Sequence, residues 1–146
     1  MSVGISLVIA GSRGVDPSDE EITAAVLKLP LPWFVAPSEV DIPTMIREVV
    51  CLSSSGRGII GQNWSISMAI QAHYEHGTPE DVRRWGKFAA PKMRNRRAAA
   101  RADMGVLFWD GLSDNTPDLY LRMCLREKPV ICIPARRVKR GAAKPA

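Results

Sequence analysis

The sequence predicts an α/β protein in which a mainly parallel sheet of about five strands lies between helices, as a three-layer sandwich. Short apolar runs alternate with segments suited to helices, and the runs end in small or polar residues. Residues 5–10 stop at Gly11, and residues 104–109 stop at Asp110. This order is typical of parallel sheets, which bind ligands at the carboxyl ends of their strands.

The composition bounds the classes of protein that this chain can belong to. Its 146 residues, 46% hydrophobic and 24% charged, predict one domain over residues 1–135. Residues 136–146 form a basic tail that we expect to be solvated and disordered. No apolar run reaches membrane-spanning length and no basic region precedes the first one, so we expect a cytoplasmic protein without a membrane partner. The net charge of +5 favours anionic partners.

The cysteines and histidines argue against a disulfide scaffold and against a metal site. There are three cysteines and no CxxC pair, and both histidines, His73 and His76, lie apart from them. An odd, unpaired set favours free thiols, and the spacing does not suit structural zinc. The residues indicate no cofactor.

The first loop carries the first candidate ligand contacts. Residues 5–10 are followed at once by Gly11, Ser12, Arg13 and Gly14. Glycine lets the backbone approach a ligand closely, Ser12 offers a hydroxyl, and Arg13 offers a guanidinium suited to phosphate or carboxylate. The alternative is a plain turn between a strand and a helix.

A helix is expected after this loop, because Ser18 and Glu21 have the spacing of a capping box. Pro30 ends it, and the prolines up to Pro43 argue against a long regular element there. We interpret residues 30–43 as an insertion to which the sequence assigns no role.

A second strand at residues 48–52 is followed by a loop of the same kind, with small polar residues and a glycine, arginine and glycine. Its candidate ligand residues are Ser55, Gly56, Arg57 and Gly58, since backbone N–H groups of such turns cradle phosphates. A helix is expected over residues 59–74, with both histidines on the surface near its end. The third strand is predicted at residues 77–83.

A basic loop at residues 83–92 leads into a helix predicted over residues 93–102. Arginines near a helix N-terminus meet an unfavourable dipole, so Arg94 and its neighbours suggest a bound anion. The alternative is a solvated basic face.

The fourth strand, residues 104–109, ends at Asp110 and Gly111. A carboxylate at a strand end can accept hydrogen bonds from ribose hydroxyls, whereas the alternative is an Asp-Gly turn. A helix is expected from residue 115 to 127, capped by Thr116 with Pro117 in the first position. The final strand is predicted at residues 129–133.

The order of these motifs, AGSRG, SxGRG, GKFAAPKMRNRRAAARAD and FWDGxSxxT, resembles the YspA-like, YpsA-related family of the SLOG superfamily over residues 8–133. That superfamily also includes DprA and the Lonely Guy phosphoribohydrolases. The resemblance implies a Rossmann-like fold, a nucleotide or nucleotide-derived small ligand, and a homo-oligomer. One helix has apolar residues that could pack on a partner, although packing in the core is the favoured alternative: Tyr120, Leu121, Met123 and Cys124.

Carried over by position, the resemblance implies a ligand site at the carboxyl edge of the sheet. Serines replace the family's usual glycines in the second loop, Ile60 stands where an aspartate is expected, and the hydrolase pattern PGGxGTxxE is absent. The implied contacts are Gly11, Ser12, Arg13, Ser55, Gly56, Arg57, Gly58, Arg94, Asn95, Asp110, Gly111, Ser113 and Thr116.

Three function classes follow. The first is a sensor or sequestering protein for a nucleotide signal, supported by the two arginine-bearing loops. The second is a nucleotide-processing enzyme such as an N-glycoside hydrolase, for which Asp110 is the candidate carboxylate. The third is DprA-like nucleic-acid binding, which aromatic residues interleaved on a basic face would favour, but the sequence shows few of them. The sequence favours them in that order.

Overall fold

The computed structural model describes residues 4–31, 38–53 and 59–138, which form a three-layer, Rossmann-like α/β sandwich. Five parallel strands lie in the order β3-β2-β1-β4-β5, so the predicted fold class is confirmed. Their bounds are Ile5–Gly11 (β1), Ile46–Ser53 (β2), Gln71–His76 (β3), Met104–Trp109 (β4) and Val130–Pro134 (β5).

Six α-helices are described with the sheet, and a short 3-10 turn, Glu39–Asp41, precedes the second of them. Their bounds are Asp19–Val26 (α1), Ile42–Met45 (α2), Gln62–Ser67 (α3), Pro79–Trp85 (α4), Ala90–Arg101 (α5) and Asn115–Leu125 (α6). The segment predicted as an insertion thus contains the start of α2, while its residues 32–37 lie outside the described residues.

The central strand β1 is buried on both faces because successive side chains point to opposite sides of a strand. Leu7 and Ile9 belong to a core with α1, α2 and α3, whereas Val8 and Ala10 pack in a second core with α5 and α6. The chain reverses its direction of travel across the sheet at β1, whose two neighbours are β2 and β4. That is the topological switch point where open α/β sheets bind ligands.

The predicted cap of α1 is confirmed. The Ser18 hydroxyl accepts a hydrogen bond from the Glu21 N–H at 3.1 Å, and the Ser18 N–H donates to the Glu21 carboxylate at 3.3 Å.

The prediction of a third strand at residues 77–83 is wrong. β3 is Gln71–His76, and the predicted stretch begins α4 instead. Thr78 caps this helix, with its hydroxyl accepting from the Asp81 N–H and Pro79 in the first turn. Threonine, proline and an acid at this spacing are a helix-start signal that was present in the sequence.

The helix predicted over residues 59–74 is also too long, because α3 ends at Ser67. Neither glycine nor proline marks this end. Ala69 takes the left-handed conformation (φ 56°) that glycine usually supplies after a helix, and the chain turns into β3. His73 therefore lies on a strand, where its Nε2 is 3.0 Å from a Glu75 carboxylate oxygen.

The helix α6 begins differently from the expectation. It spans Asn115–Leu125, and Thr116 lies within its first turn rather than capping it. Of the residues proposed for partner packing, Met123 is in the core, whereas Leu121 and Cys124 are exposed. Within the part of the chain that the structure describes, no helix is both long enough and apolar enough to cross a membrane.

Candidate functional site

The carboxyl ends of β1 and β4 meet at the switch point. Ser12, just after β1, donates its N–H to the Phe108 carbonyl at 2.8 Å, and the Asp110 N–H donates to the Ser12 hydroxyl at 3.0 Å. This approach requires Gly11, since a Cβ there would lie 2.7 Å from the Phe108 carbonyl oxygen. The two predicted motifs AGSRG and FWDG are thus brought together.

The Ser12 hydroxyl is not free to contact a ligand, because it connects the end of β1 to the loop after β4 and to α6. Its Oγ lies 2.9 Å from the Ser113 hydroxyl and 3.1 Å from the Thr116 hydroxyl, and the residue is 2% exposed. A serine hydroxyl has one donor and two acceptor positions, so these contacts and the Asp110 N–H use them up. Ser12 and Thr116 therefore fix the first turn of α6 to the end of β1.

The carboxylate of Asp110 is fully engaged as well. One oxygen accepts from the Leu112 and Ser113 N–H groups, each at 2.9 Å, and the other accepts from the Arg137 guanidinium. Gly111 supports this turn with a φ of 82°. Burial alone would raise the pKa of Asp110, but these hydrogen bonds outweigh it and hold that pKa well below its usual range.

An ionised and satisfied carboxylate is a poor general acid. The position of Asp110 is consistent with a residue that holds the loop before α6, and it does not present a free oxygen to a ribose.

Arg137 was missed by the sequence reasoning, which assigned it to a disordered tail. The structure corrects this for residues 136–138, while residues 139–146 lie outside the described residues. Ala135 donates its N–H to the Trp109 carbonyl at 2.8 Å, and Val138 donates to the Gly14 carbonyl at 2.7 Å. These backbone hydrogen bonds bring the Arg137 side chain to Asp110, 27 residues away in the chain. A contact over this separation cannot be predicted from a local sequence pattern.

A cleft of about 610 Å³ opens beside this segment, between the loop after β1 and the ends of β4 and β5. Its lining includes apolar residues such as Trp109 and Pro134, three acidic residues, Asp16, Glu21 and Asp110, and one cation, Arg136. The excess of acidic over basic residues in the lining disfavours a phosphate in this cleft.

Arg94, on α5, is a partly buried cation of this edge that has no carboxylate partner among the described residues. Its Nε is buried and has no hydrogen-bond acceptor in the described ranges. Its nearest polar contact is a long one, 3.4 Å from Nη2 to the Asn95 side-chain oxygen. Burial and then repulsion from Arg97 lower the pKa of Arg94, so the surroundings disfavour its positive charge.

Two other arginines of α5 are compensated. Arg97 binds the Asp81 carboxylate with two nitrogens, at 2.8 and 3.2 Å, and also contacts Glu75. Arg101 binds Glu48 with two nitrogens, at 2.8 and 2.9 Å. What distinguishes Arg94 on this helix is its buried Nε, which has no acceptor among the described residues.

Asn95 is a structural residue in this chain. It is fully buried, and its amide donates to the Asn115 carbonyl at 2.9 Å and to the Asp118 carboxylate at 3.1 Å. Asn95 thereby fixes the first half of α5 against the first turn of α6, which itself contacts Ser12. The contacts from Asn95 to α6, and from Thr116 of α6 to Ser12, hold the part of α5 that carries Arg94 next to the switch point.

The remaining predicted residues divide into two groups. Arg13 is exposed in the first loop and has no ion pair among the residues described. The second loop, with Ser55, Gly56, Arg57 and Gly58, lies outside the described residues. The part of the chain that is described contains no cluster of three His, Cys, Asp or Glu side chains suited to a metal ion.

Comparison of the chain with protein-family models, with curated proteins and with solved structures finds no match.

Proposed function

We propose that the chain binds a nucleotide or nucleotide-derived small ligand at the carboxyl edge of its sheet, as a sensor or sequestering protein for a nucleotide signal. The observation that carries this proposal is the buried Nε of Arg94, which has no acceptor among the residues that the structure describes. A buried cation without a counter-charge is strongly unfavourable. A ligand phosphate would supply both the missing charge and the missing acceptor.

The position of Arg94 supports this proposal. α5 runs back from the carboxyl edge into β4, so its first turns lie at that edge. The start of α6 is bound next to it through Asn95. Two helix N-termini side by side favour an anion, and the exposed Arg13 belongs to the loop at the same edge.

Binding is favoured over hydrolysis of the ligand. N-glycoside hydrolysis needs a carboxylate that can act as acid or nucleophile, and both oxygens of Asp110 are occupied. The resemblance to the YspA-like family carries the same expectation of a nucleotide ligand.

Calorimetry with mono-, di- and cyclic nucleotides tests the proposal on three proteins: wild type, Arg94→Met and Arg126→Met. Arg126 is exposed and follows the last residue of α6, at the end away from the helix N-termini, and its variant changes the net charge equally. We expect Arg94→Met to weaken binding by about 10- to 100-fold, the loss of one charged hydrogen bond, and Arg126→Met to leave it within about twofold.

Equal nucleotide affinity of all three proteins would exclude Arg94 from the site. If wild type binds none of the nucleotides, the proposed function is wrong. Native mass spectrometry of the freshly purified protein checks the same point, since a co-purifying nucleotide should be lost in Arg94→Met. Conversion of the bound nucleotide would favour the enzyme class, with Asp16 of the cleft as the next carboxylate to replace.

A further inference from the structure

The stretch from residue 82 to residue 102 holds eight lysines and arginines and no acidic residue. Three of these cations have carboxylate partners elsewhere in the chain: Arg83, Arg97 and Arg101. The other five have none among the residues that the structure describes: Arg84, Lys87, Lys92, Arg94 and Arg96. Arg94 is the inward-facing member discussed above, so four uncompensated cations are left near the outer side of the α4–α5 region.

Two aromatic side chains stand among these cations. Trp85 ends α4 and is 53% exposed, and Phe88, in the turn before α5, is 83% exposed. The Arg84 guanidinium lies 5.7 Å from the Trp85 ring centroid, and the Lys87 ammonium lies 5.2 Å from the Phe88 ring centroid. We call these four residues together with Lys92 the basic aromatic surface.

The backbone between the two rings is one that only glycine readily adopts. Gly86 has a φ of 84° and a ψ of 161°, a region essentially closed to other residues. It lets the chain turn sharply from α4 to α5 with Trp85 and Phe88 on either side of the turn. Lys92 and Arg96 follow, four residues apart and hence on one side of α5.

We propose that the basic aromatic surface binds single-stranded nucleic acid. Proteins that bind single strands without sequence preference combine aromatic rings, on which bases stack, with cations that follow the phosphates. Here each ring is next to a cation that is free of acidic partners, and Lys92 and Arg96 continue the positive charge along α5. The aromatic residues interleaved with basic ones, which the sequence suggested were too few, are concentrated on this one surface.

A membrane surface is the competing partner, because basic and aromatic residues also occur at lipid headgroups. Helices that lie in the interface need a broad apolar face. The exposed side of α5 carries Lys92, Arg96 and Ala100 rather than large apolar residues, so nucleic acid fits it better. This proposal does not depend on the small-ligand site, whose central cation, Arg94, faces inward.

Fluorescence anisotropy with labelled oligo(dT) and oligo(U) of about 20 nucleotides tests the surface. We expect Phe88→Ala and Trp85→Ala each to weaken binding by about 5- to 100-fold, the loss of one stacked base. Lys92→Ala should make the dependence of log K on log salt shallower by about 0.7, the value for one single-strand phosphate contact.

The matched control is Leu125→Ala on α6, where the side chain is also 83% exposed but does not belong to the basic aromatic surface; it should bind like wild type. Circular dichroism of each variant confirms that the fold is retained. Equal affinities of Phe88→Ala and Leu125→Ala would overturn the proposal. So would tighter binding to a duplex of the same length, or co-sedimentation with phosphatidylserine vesicles without any binding to the oligonucleotides.

Discussion

Replacing Arg94 with methionine should stabilise the ligand-free protein. Methionine fills a similar space without a charge or a donor, and the wild-type side chain has a buried Nε with no hydrogen-bond acceptor in the described part of the chain. An unsatisfied buried polar group costs about 1–3 kcal/mol. Part of that gain will be lost to imperfect packing, so we expect a net increase in the free energy of unfolding of about 1–2 kcal/mol.

Arg101→Met, on the same helix, should have the opposite effect on the free energy of unfolding. It removes the arginine partner of Glu48, a carboxylate whose side chain is 7% exposed. Among the described residues, Glu48 then keeps one side-chain hydrogen bond, from the Ser6 hydroxyl. Hydrogen bonds to charged groups contribute about 1.5–3 kcal/mol, and Arg101 is itself partly exposed to solvent. A decrease of about 1–2 kcal/mol in the free energy of unfolding is therefore expected.

The assay is urea and thermal unfolding in a buffer without phosphate or sulfate. Each kcal/mol corresponds to about 2–4 °C in Tm for a protein of this size, so the two variants should move in opposite directions. A nucleotide at about 100 times its Kd should add about 2.7 kcal/mol to wild type and much less to Arg94→Met. If Arg94→Met is destabilised as much as Arg101→Met, and the nucleotide still stabilises it fully, the reasoning about an anion site is refuted.

Four further outcomes are expected. The hydrogen bond from Arg101 lowers the pKa of Glu48 from 4.5 to about 2, so its contribution to stability is present above pH 4.5 and is lost as the pH falls towards 2; Glu48→Gln should flatten acid unfolding in that window. Burial raises the pKa of Cys51 to about 11, so a thiol reagent should label the exposed Cys124 at once and Cys51 only with unfolding. Ser12→Ala should lower the free energy of unfolding by about 1–3 kcal/mol, because it leaves hydrogen-bond partners unsatisfied; an unchanged urea midpoint would contradict its connecting role. Light scattering should detect a homo-oligomer at micromolar concentration, and Leu121→Asp should shift it towards monomer; a wild-type monomer would contradict the expectation.

Local signals in the sequence were sufficient for much of the fold. The strand at residues 104–109 was predicted with its observed bounds, and the capping box at Ser18 gave the start of α1. β3 was misplaced because it is an edge strand of mixed polarity, and because Ala69 ends α3 without a recognisable stop signal. The start of α4 at Thr78 could have been predicted, since its cap and proline were visible.

The sequence by itself was enough to place Ser12 and Asp110 at the carboxyl ends of β1 and β4, because strand ends follow from the order of apolar runs, whereas it gave no sign that Arg137 reaches the same edge. Only the tertiary structure decided what those residues do there. The Ser12 hydroxyl bonds to residues about 100 positions away in the chain, and the Asp110 carboxylate is bound by Arg137, 27 residues away. On α5 the structure pairs Arg97 and Arg101 with carboxylates, whereas the buried Nε of Arg94 has no acceptor among the described residues. Caps and periodicity depend on neighbours within one turn, whereas the pairing of a charge depends on which distant carboxylates the fold brings within hydrogen-bond reach.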